Sequence, residues 1–107
     1  MSELKSYRFC SLEELNRSKR VTRIVEELRD EITAIDLDGK THVFSSVCPH
    51  FGGEFKFDRR AGKTWCKWHG YEFDIRSGKC LTFPKLKTCL RHYEFQENDG
   101  YLEVLYH

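Results

Sequence analysis

The sequence predicts an all-β domain, and three observations carry this prediction. Two Asp-Gly dipeptides, at positions 38–39 and 99–100, each stand between two runs of β-prone residues, which is the pattern of a tight antiparallel hairpin. Aromatic residues make up 14% of the chain, a share that suits a β-rich domain. At 107 residues the chain has room for one domain, so we expect a single unit spanning residues 1–107.

The N-terminal third predicts short elements. Residues 6–10 are expected to form a first strand. One helical turn should follow, because Ser11 can cap it and Glu14 stands three residues later. Residues 21–25 are rich in β-branched side chains and predict a strand, although residues 26–28 would also accept a helix.

Two hairpins are predicted together with their turns. Residues 31–37 and 40–45 flank Asp38-Gly39, and a type I′ turn suits this dipeptide because it needs positive φ at both positions. Residues 90–95 and 101–106 surround Asn98-Asp99-Gly100, and positions 102, 104 and 106 alternate with 101, 103 and 105. Both parts of the chain therefore predict antiparallel sheet.

Composition and charge narrow the function classes. The formal net charge of +1 is too small to indicate nucleic acid or an anionic membrane as a partner. No apolar stretch has the length of a signal-peptide core or a membrane span, so we expect a soluble, cytoplasmic protein. The sequence does not establish the oligomeric state, and a monomer is the default expectation.

The five cysteines are an odd count without a secretion signal. This argues against a disulfide framework and favours metal ligation with spare thiols. Residues 48–84 contain both prolines and five of the seven glycines, together with a dense mix of aromatic and metal-ligating residue types. Such a composition is typical of a loop-built site on a β scaffold.

Two short motifs in this segment carry the chemistry. Cys48-Pro49-His50 is a C-x-H pair, and Cys66-Lys67-Trp68-His69 is a C-x-x-H pair. Two thiolates and two imidazoles can close a tetrahedral zinc site, although zinc fingers usually draw two cysteines from one segment and two histidines from the other. They can also hold a 2Fe–2S cluster, with both cysteines on one iron and both histidines on the other. The ligand order favours the cluster over zinc and over a coincidental arrangement.

The motifs extend into a longer pattern that resembles the Rieske ferredoxin family. Members carry C-P-H followed by C-P-W-H-G-x-x-F-D-x-x-x-G, and here the second motif continues as Gly70-Tyr71-Glu72-Phe73-Asp74 and Ser77-Gly78. Phe83-Pro84 resembles the proline loop that covers the cluster in this family. The resemblance runs from about residue 31 to the end, and Lys67 departs from it where the family usually has proline.

The resemblance implies the Rieske iron–sulfur fold, an antiparallel β-sandwich base with a cluster-binding lobe at approximately residues 46–86. It implies one 2Fe–2S cluster held by Cys48, His50, Cys66 and His69. It also implies that both histidines leave one ring nitrogen facing solvent, which makes them the expected electron exit. Lys67 should not prevent ligation, because the ligand positions are intact.

The resemblance also predicts a low reduction potential. Because neutral imidazoles replace two thiolates, Rieske centres have reduction potentials of about −150 to +300 mV. High-potential members add a disulfide beside the cluster and hydroxyl groups that donate to its sulfurs. The corresponding places here hold Gly53, Trp68, Tyr71 and Phe73. Because such donors tune the potential, we expect a value near the low end of the range.

Other chemistry-bearing residues have structural interpretations. His42 and His92 lie in strand patterns and His107 ends the chain, so none is predicted as a ligand. The remaining cysteines are interpreted as core or surface thiols: Cys10, Cys80 and Cys89. Because Cys80 is near the lobe in sequence, it is the thiol to check for oxidation. Most aromatic residues near the motifs are interpreted as packing that excludes water: Phe51, Phe55, Phe57, Trp65, Trp68, Tyr71 and Phe73.

Charge is unevenly distributed along the chain. Residues 51–90 carry nine Lys or Arg against four Asp or Glu, and the rest carries nine against thirteen. This is either a solvated basic face or a surface that docks on an acidic patch of a redox partner.

The leading functional hypothesis is a one-electron carrier between a flavin-dependent reductase and a terminal, ring-hydroxylating oxygenase. The chain is too short to hold an oxygenase catalytic domain or a nicotinamide-binding unit, so we expect an electron-transfer component and not an enzyme. One alternative is a small Rieske-like subunit of a reductase such as nitrite reductase. Another is a zinc-stabilised interaction module with no redox role.

Overall fold

The computed structural model describes residues 3–47, 55–67, 70–83, 85 and 89–107. Strands dominate these residues, which confirms the predicted all-β class. In chain order the elements are β1 (Lys5–Ser11), α1 (Leu12–Ser18), β2 (Arg20–Val25), a 3₁₀ turn (Glu26–Leu28), β3 (Asp30–Leu37), β4 (Lys40–Ser45), β5 (Phe55–Asp58), β6 (Lys63–Cys66), β7 (Glu72–Asp74), β8 (Glu94–Asn98) and β9 (Tyr101–Tyr106).

The helix begins where the sequence predicts. The Ser11 hydroxyl accepts a hydrogen bond from the backbone N–H of Glu14 at 3.0 Å, so the predicted cap is confirmed. The helix continues to Ser18 and ends at Lys19, whose φ of 66° lies in the left-handed region. The ambiguous segment after β2 forms a single 3₁₀ turn, Glu26–Leu28.

Both predicted hairpin turns are confirmed. Asp38 and Gly39 have φ values of 54° and 84°, and Asp99 and Gly100 have φ values of 54° and 79°. Positive φ at both central residues is the requirement of a type I′ turn. These turns fix the registers of the β3–β4 and β8–β9 pairs.

The predicted strand at residues 90–95 is wrong in its bounds. Because Asn98 pairs with Tyr101 across the two-residue turn, β8 covers Glu94–Asn98. The preceding residues bond to β4 instead: the carbonyl of Arg91 accepts from Ser45 N–H, and Tyr93 N–H donates to Val43, both at 2.8 Å. This segment therefore connects two sheets.

The strands form three antiparallel sheets of three strands each, with the orders β1-β9-β8, β2-β3-β4 and β5-β6-β7. The middle sheet, β2-β3-β4, supplies residues to two hydrophobic clusters. On β3, Ile32 and Ala34 belong to the first cluster, which also includes Val104 of β9. Ile35 belongs to the second, which includes Phe73 of β7. Alternate residues of β3 therefore pack in opposite directions, and the strand is buried on both faces.

The sheet β5-β6-β7 falls within residues 46–86, the range predicted for the cluster-binding lobe. The exact bounds of this lobe and the single-domain organisation stay predictions. In the part of the chain that the structure describes, no helix combines the length and apolar character needed to cross a membrane.

Candidate metal centre

Cys66 is the one predicted ligand that the structure describes. It is the last residue of β6, it pairs with Phe55 of β5, and it is fully buried. Its backbone N–H donates to the carbonyl of Tyr71 at 2.9 Å, and its carbonyl accepts from Gly70 N–H at 2.8 Å. Gly70 has a φ of 68°, a conformation that glycine adopts without strain. These two bonds, to Tyr71 and Gly70, fix the Cys66 backbone.

The other three predicted ligands, Cys48, His50 and His69, lie outside the described residues. The proline of the predicted covering loop, Pro84, lies outside them too. Among the residues that are described, no group of three or more potential ligands converges on one point. The grouping of all four ligands therefore stays a prediction.

Aromatic packing surrounds the position of Cys66. The rings of Phe55 and Phe73 lie 5.9 Å apart between centroids, and both side chains are buried. Tyr71 meets Phe83 edge to face at 5.1 Å. Phe55, Cys66 and Phe73 all belong to the second hydrophobic cluster, against which Tyr71 packs. The prediction that aromatic residues near the motifs serve packing is confirmed for Phe55 and Phe73.

The segment after β7 folds back along it. The backbone of Cys80 pairs with that of Phe73 in an isolated antiparallel β-bridge. The N–H of Leu81 donates to the carbonyl of Glu72 at 2.7 Å. The N–H of Glu72 in turn donates to the Thr82 hydroxyl at 2.9 Å. These bonds hold residues 80–82 against the sheet that carries Cys66. Leu81 and Phe83 are nevertheless exposed.

The turn between β7 and this segment is built on Asp74. Its carboxylate accepts from the Ser77 hydroxyl at 2.7 Å and from the Ser77 N–H at 3.3 Å. Burial alone would raise the pKa of Asp74, but hydrogen bonds from Ser77 and Arg76 and the charge of Arg76 hold it below its ordinary value of 3.8. The carboxylate stays ionised and holds the turn closed at neutral pH.

The spare cysteines divide between core and surface, as predicted. Cys10 and Cys80 are free buried thiols, and Cys89 is exposed. Burial raises the pKa of Cys10 to about 11, and the charge of Glu14 adds to the effect. The sequence analysis singled out Cys80 as the thiol to check for oxidation. Cys80 is only 3% exposed, and this burial makes it a poor target for oxidants.

Two buried carboxylates escaped the sequence analysis. Asp30 accepts hydrogen bonds from Ser45, Arg91 and Tyr93, which are 15, 61 and 63 residues away. Glu103 lies on β9, is buried, and accepts hydrogen bonds from the side-chain amides of Gln96 and Asn98. No local sequence pattern could have found Asp30, because its partners are distant in the chain.

His42 and His92 each have a defined place in the packing of the described residues. A ring nitrogen of His92 lies 2.7 Å from the carbonyl oxygen of Ile75. His42 is 8% exposed, and its Nε2 has no hydrogen-bond partner among the described residues. Burial lowers the pKa of His42, and the nearby His92, Lys40 and Arg76 lower it further while Asp74 opposes them.

The comparisons with known proteins agree with this architecture. The family model described as "Rieske [2Fe-2S] domain" matches residues 5–94. This range includes the C-x-H and C-x-x-H motifs in full. A search of curated proteins found no match.

Several solved structures share the fold. The plasma membrane Rieske protein PetC3 from Synechocystis PCC 6803 matches with a TM-score of 0.74 and 21% identity, over 92% of this chain and 97% of that chain. The ferredoxin of carbazole 1,9a-dioxygenase from Nocardioides aromaticivorans IC177 matches with a TM-score of 0.72 and 19% identity, over 94% and 96%.

A third match comes from the reduced complex between oxygenase and ferredoxin in carbazole 1,9a-dioxygenase. It has a TM-score of 0.72 and 19% identity, and it covers 92% of this chain but 27% of that chain. All three likenesses concern the fold. The family match spans most of the chain: the protein belongs to the Rieske [2Fe-2S] domain family, and this membership implies one Rieske-type 2Fe–2S cluster.

Proposed function

We propose that Cys48, His50, Cys66 and His69 hold the cluster, and that the protein carries single electrons from a flavin-dependent reductase to a terminal oxygenase. The observation that carries the ligand assignment is the family match over residues 5–94, which contains both Cys/His pairs in the order that a mixed-ligand cluster needs.

The described residues fit a cluster at this place. Cys66 offers a thiol, a ligand type that iron–sulfur clusters require, and its backbone is fixed by the bonds to Gly70 and Tyr71. The buried rings of Phe55 and Phe73 keep the surroundings of Cys66 apolar. A dry, low-dielectric environment strengthens the effect of each nearby charge and hydrogen bond on the potential.

The Rieske domain supports an electron-transfer role. When bound, the cluster accepts and releases one electron, and the protein supplies its ligands, its shielding and a docking surface. This chain and the carbazole dioxygenase ferredoxin match over nearly their whole lengths, which favours a carrier of similar size. The oxygenase as acceptor, the flavin-dependent reductase as donor and the cytoplasmic location all belong to the proposal.

Substitution of each ligand tests the site. We expect Cys48→Ser, His50→Ala, Cys66→Ser and His69→Ala each to abolish the visible absorption of the cluster in protein purified anaerobically. Cys80→Ser is the matched control, because this thiol lies in the same hydrophobic cluster as Cys66 but outside both motifs. Wild-type spectra in a ligand variant, or loss of the cluster in the control, would overturn the assignment.

The carrier role needs a test of its own. A flavin-dependent ferredoxin reductase with NADH should reduce the protein, and a ring-hydroxylating oxygenase with its substrate should reoxidise it at a rate that supports turnover. A carrier is recovered alone after gel filtration of a native extract. Co-elution with a large reductase subunit would instead indicate a permanent subunit of an enzyme such as nitrite reductase.

A further inference from the structure

We propose that Asp30 is a positioning residue for the segment that carries the first two cluster ligands, and that it acts through Ser45. The proposal rests on the assignment of Cys48 and His50 as ligands. Asp30 begins β3, and Ser45 ends β4 three residues before Cys48 in the sequence. Neither residue belongs to the motifs that bind the cluster.

The carboxylate of Asp30 is buried and fully engaged. Its side chain is 3% exposed. Oδ1 accepts from the Ser45 hydroxyl at 2.8 Å, and Oδ2 accepts from the Arg91 guanidinium at 2.9 Å and from the Tyr93 hydroxyl at 2.5 Å. A buried carboxylate is costly unless it is paired and hydrogen-bonded, so this arrangement strongly favours one conformation of its partners.

Tyr93 and Arg91 keep their donor protons at physiological pH. Burial raises the pKa of Tyr93 to about 12, and its hydrogen bond to Asp30 adds to this effect. The hydrogen bond to Asp30 also raises the pKa of Arg91 above its ordinary value. At physiological pH, Asp30 therefore keeps all three of its hydrogen-bond donors, Ser45, Arg91 and Tyr93.

Further bonds fix the chain where it leaves β4. The Ser45 N–H donates to the carbonyl of Arg91 at 2.8 Å. Ser46 donates to the carbonyl of Glu31 from its N–H at 2.8 Å and from its hydroxyl at 3.1 Å. Ser45 and Ser46 are both buried, whereas the next residue, Val47, is exposed. These bonds fix the backbone at Ser45 and Ser46, the last buried residues before Val47.

The fold contains a natural control for this idea. Glu103 is also a buried carboxylate with several hydrogen-bond donors, but it lies on β9 and its partners belong to β8 and β1. The sheet β1-β9-β8 holds none of the predicted ligands. A purely stabilising role would make Asp30 and Glu103 equivalent, while a positioning role would affect the cluster only through Asp30.

The experiment compares Ser45→Ala and Asp30→Asn with Glu103→Gln, all as holoprotein. Ser45→Ala is the principal variant, because it removes the side-chain hydrogen bond between Asp30 and the chain leading to the ligands, and it leaves Asp30 paired with Arg91 and Tyr93. Cluster release to a chelator is followed by visible absorption, the reduction potential by redox titration, and the unfolding midpoint in urea by circular dichroism. Amide hydrogen exchange at Ser46 and Val47 gives a readout that needs no cluster.

We expect Ser45→Ala to release the cluster roughly tenfold faster than wild type, to shift the potential and to exchange faster at Ser46 and Val47. Asp30→Asn should show the same signature. Glu103→Gln should lower the unfolding midpoint and keep the wild-type release rate and potential. Wild-type release by Ser45→Ala, or release rates in all variants that follow only their unfolding midpoints, would overturn the inference.

The same experiment separates failure of this inference from failure of the proposed function. If the wild-type protein carries no cluster, the proposed function fails and the positioning role fails with it. If the wild-type protein carries the cluster and Ser45→Ala behaves like wild type, the positioning role alone is wrong.

Discussion

Gly78 packs directly against the ring of His92. A Cβ built on Gly78 would lie 3.1 Å from Cε1 of His92 and 3.2 Å from the carbonyl oxygen of Leu90. The N–H of Leu90 donates to the carbonyl of Gly78 at 2.8 Å, and the His92 ring lies 2.7 Å from the Ile75 carbonyl oxygen. Gly78, the last glycine of the motif, thus joins the β7 turn to the segment that returns to the middle sheet.

Gly78→Ala should therefore destabilise the protein more than an ordinary glycine substitution. Gly78 has a φ of 81°, where a side chain costs about 1–2 kcal/mol, and the contacts with Leu90 and His92 add a steric penalty. Gly39→Ala is the matched control, since Gly39 has a φ of 84° and nothing within 4 Å of the added Cβ. Equal free energies of unfolding for the two variants in urea would contradict this contact.

The stability of the protein should fall in mild acid because of His42. Burial lowers its pKa in the folded state, so below its ordinary value of 6.5 the unfolded chain binds a proton that the folded protein resists. This contribution to stability is complete above pH 6.5 and is lost as the pH falls toward the folded pKa. We expect His42→Leu to flatten the dependence of the unfolding free energy on pH as the pH falls below the ordinary value of 6.5.

His107→Gln is the control for this measurement, because His107 is exposed at the end of the chain. It should retain the wild-type slope. A His42→Leu variant with the same slope as wild type would show that another group causes the acid sensitivity.

The basic residues that flank Leu81 and Phe83 in the sequence should speed electron transfer to an acidic partner. Lys79 and Lys85 are exposed on either side of these exposed apolar residues. Lys79→Glu with Lys85→Glu should lower the second-order rate of electron transfer roughly tenfold or more at low salt, because attraction becomes repulsion. Lys5→Glu, on β1, changes the net charge away from the lobe and should have a smaller effect. A wild-type rate that does not change with ionic strength would contradict steering by charge.

The reduction potential should lie near the low end of the range of about −150 to +300 mV. Phe73, at a position compared with the hydroxyl donors of high-potential members, is fully buried against Phe55 and has no hydroxyl. A redox titration followed by circular dichroism in the visible range measures the midpoint. A value above about +200 mV would contradict the assignment to the low-potential group.

Local signals explain what the sequence could predict about the fold. The Asp38-Gly39 and Asp99-Gly100 turns and the Ser11 cap depend on residues within four positions of one another, and all three are confirmed. The strand predicted at residues 90–95 was wrong in its bounds, because residues 91–93 bond to residues 43–45 of β4, 46 to 50 positions earlier in the chain. Distance along the chain hid that pairing.

Distance along the chain also explains why the Cys66 motif was predicted and the surroundings of Asp30 were not. The motif around Cys66 is compact in sequence, and the family match bears out the cofactor that it indicates. Asp30 gives no such signal, because its three donors come from two distant segments. Asp30 lies next to Ser45, the last residue of β4, only because β3 and β4 pair in the folded sheet.

Chemical analysis of the protein purified without oxygen tests the central claim most directly. Iron and acid-labile sulfide should each be present at about two per chain, as a 2Fe–2S cluster requires. After reduction with dithionite, electron paramagnetic resonance should show the low average g-value of a cluster with imidazole ligands. Stoichiometric zinc in a colourless protein, persisting after anaerobic cluster reconstitution, would contradict the account and leave a structural zinc domain.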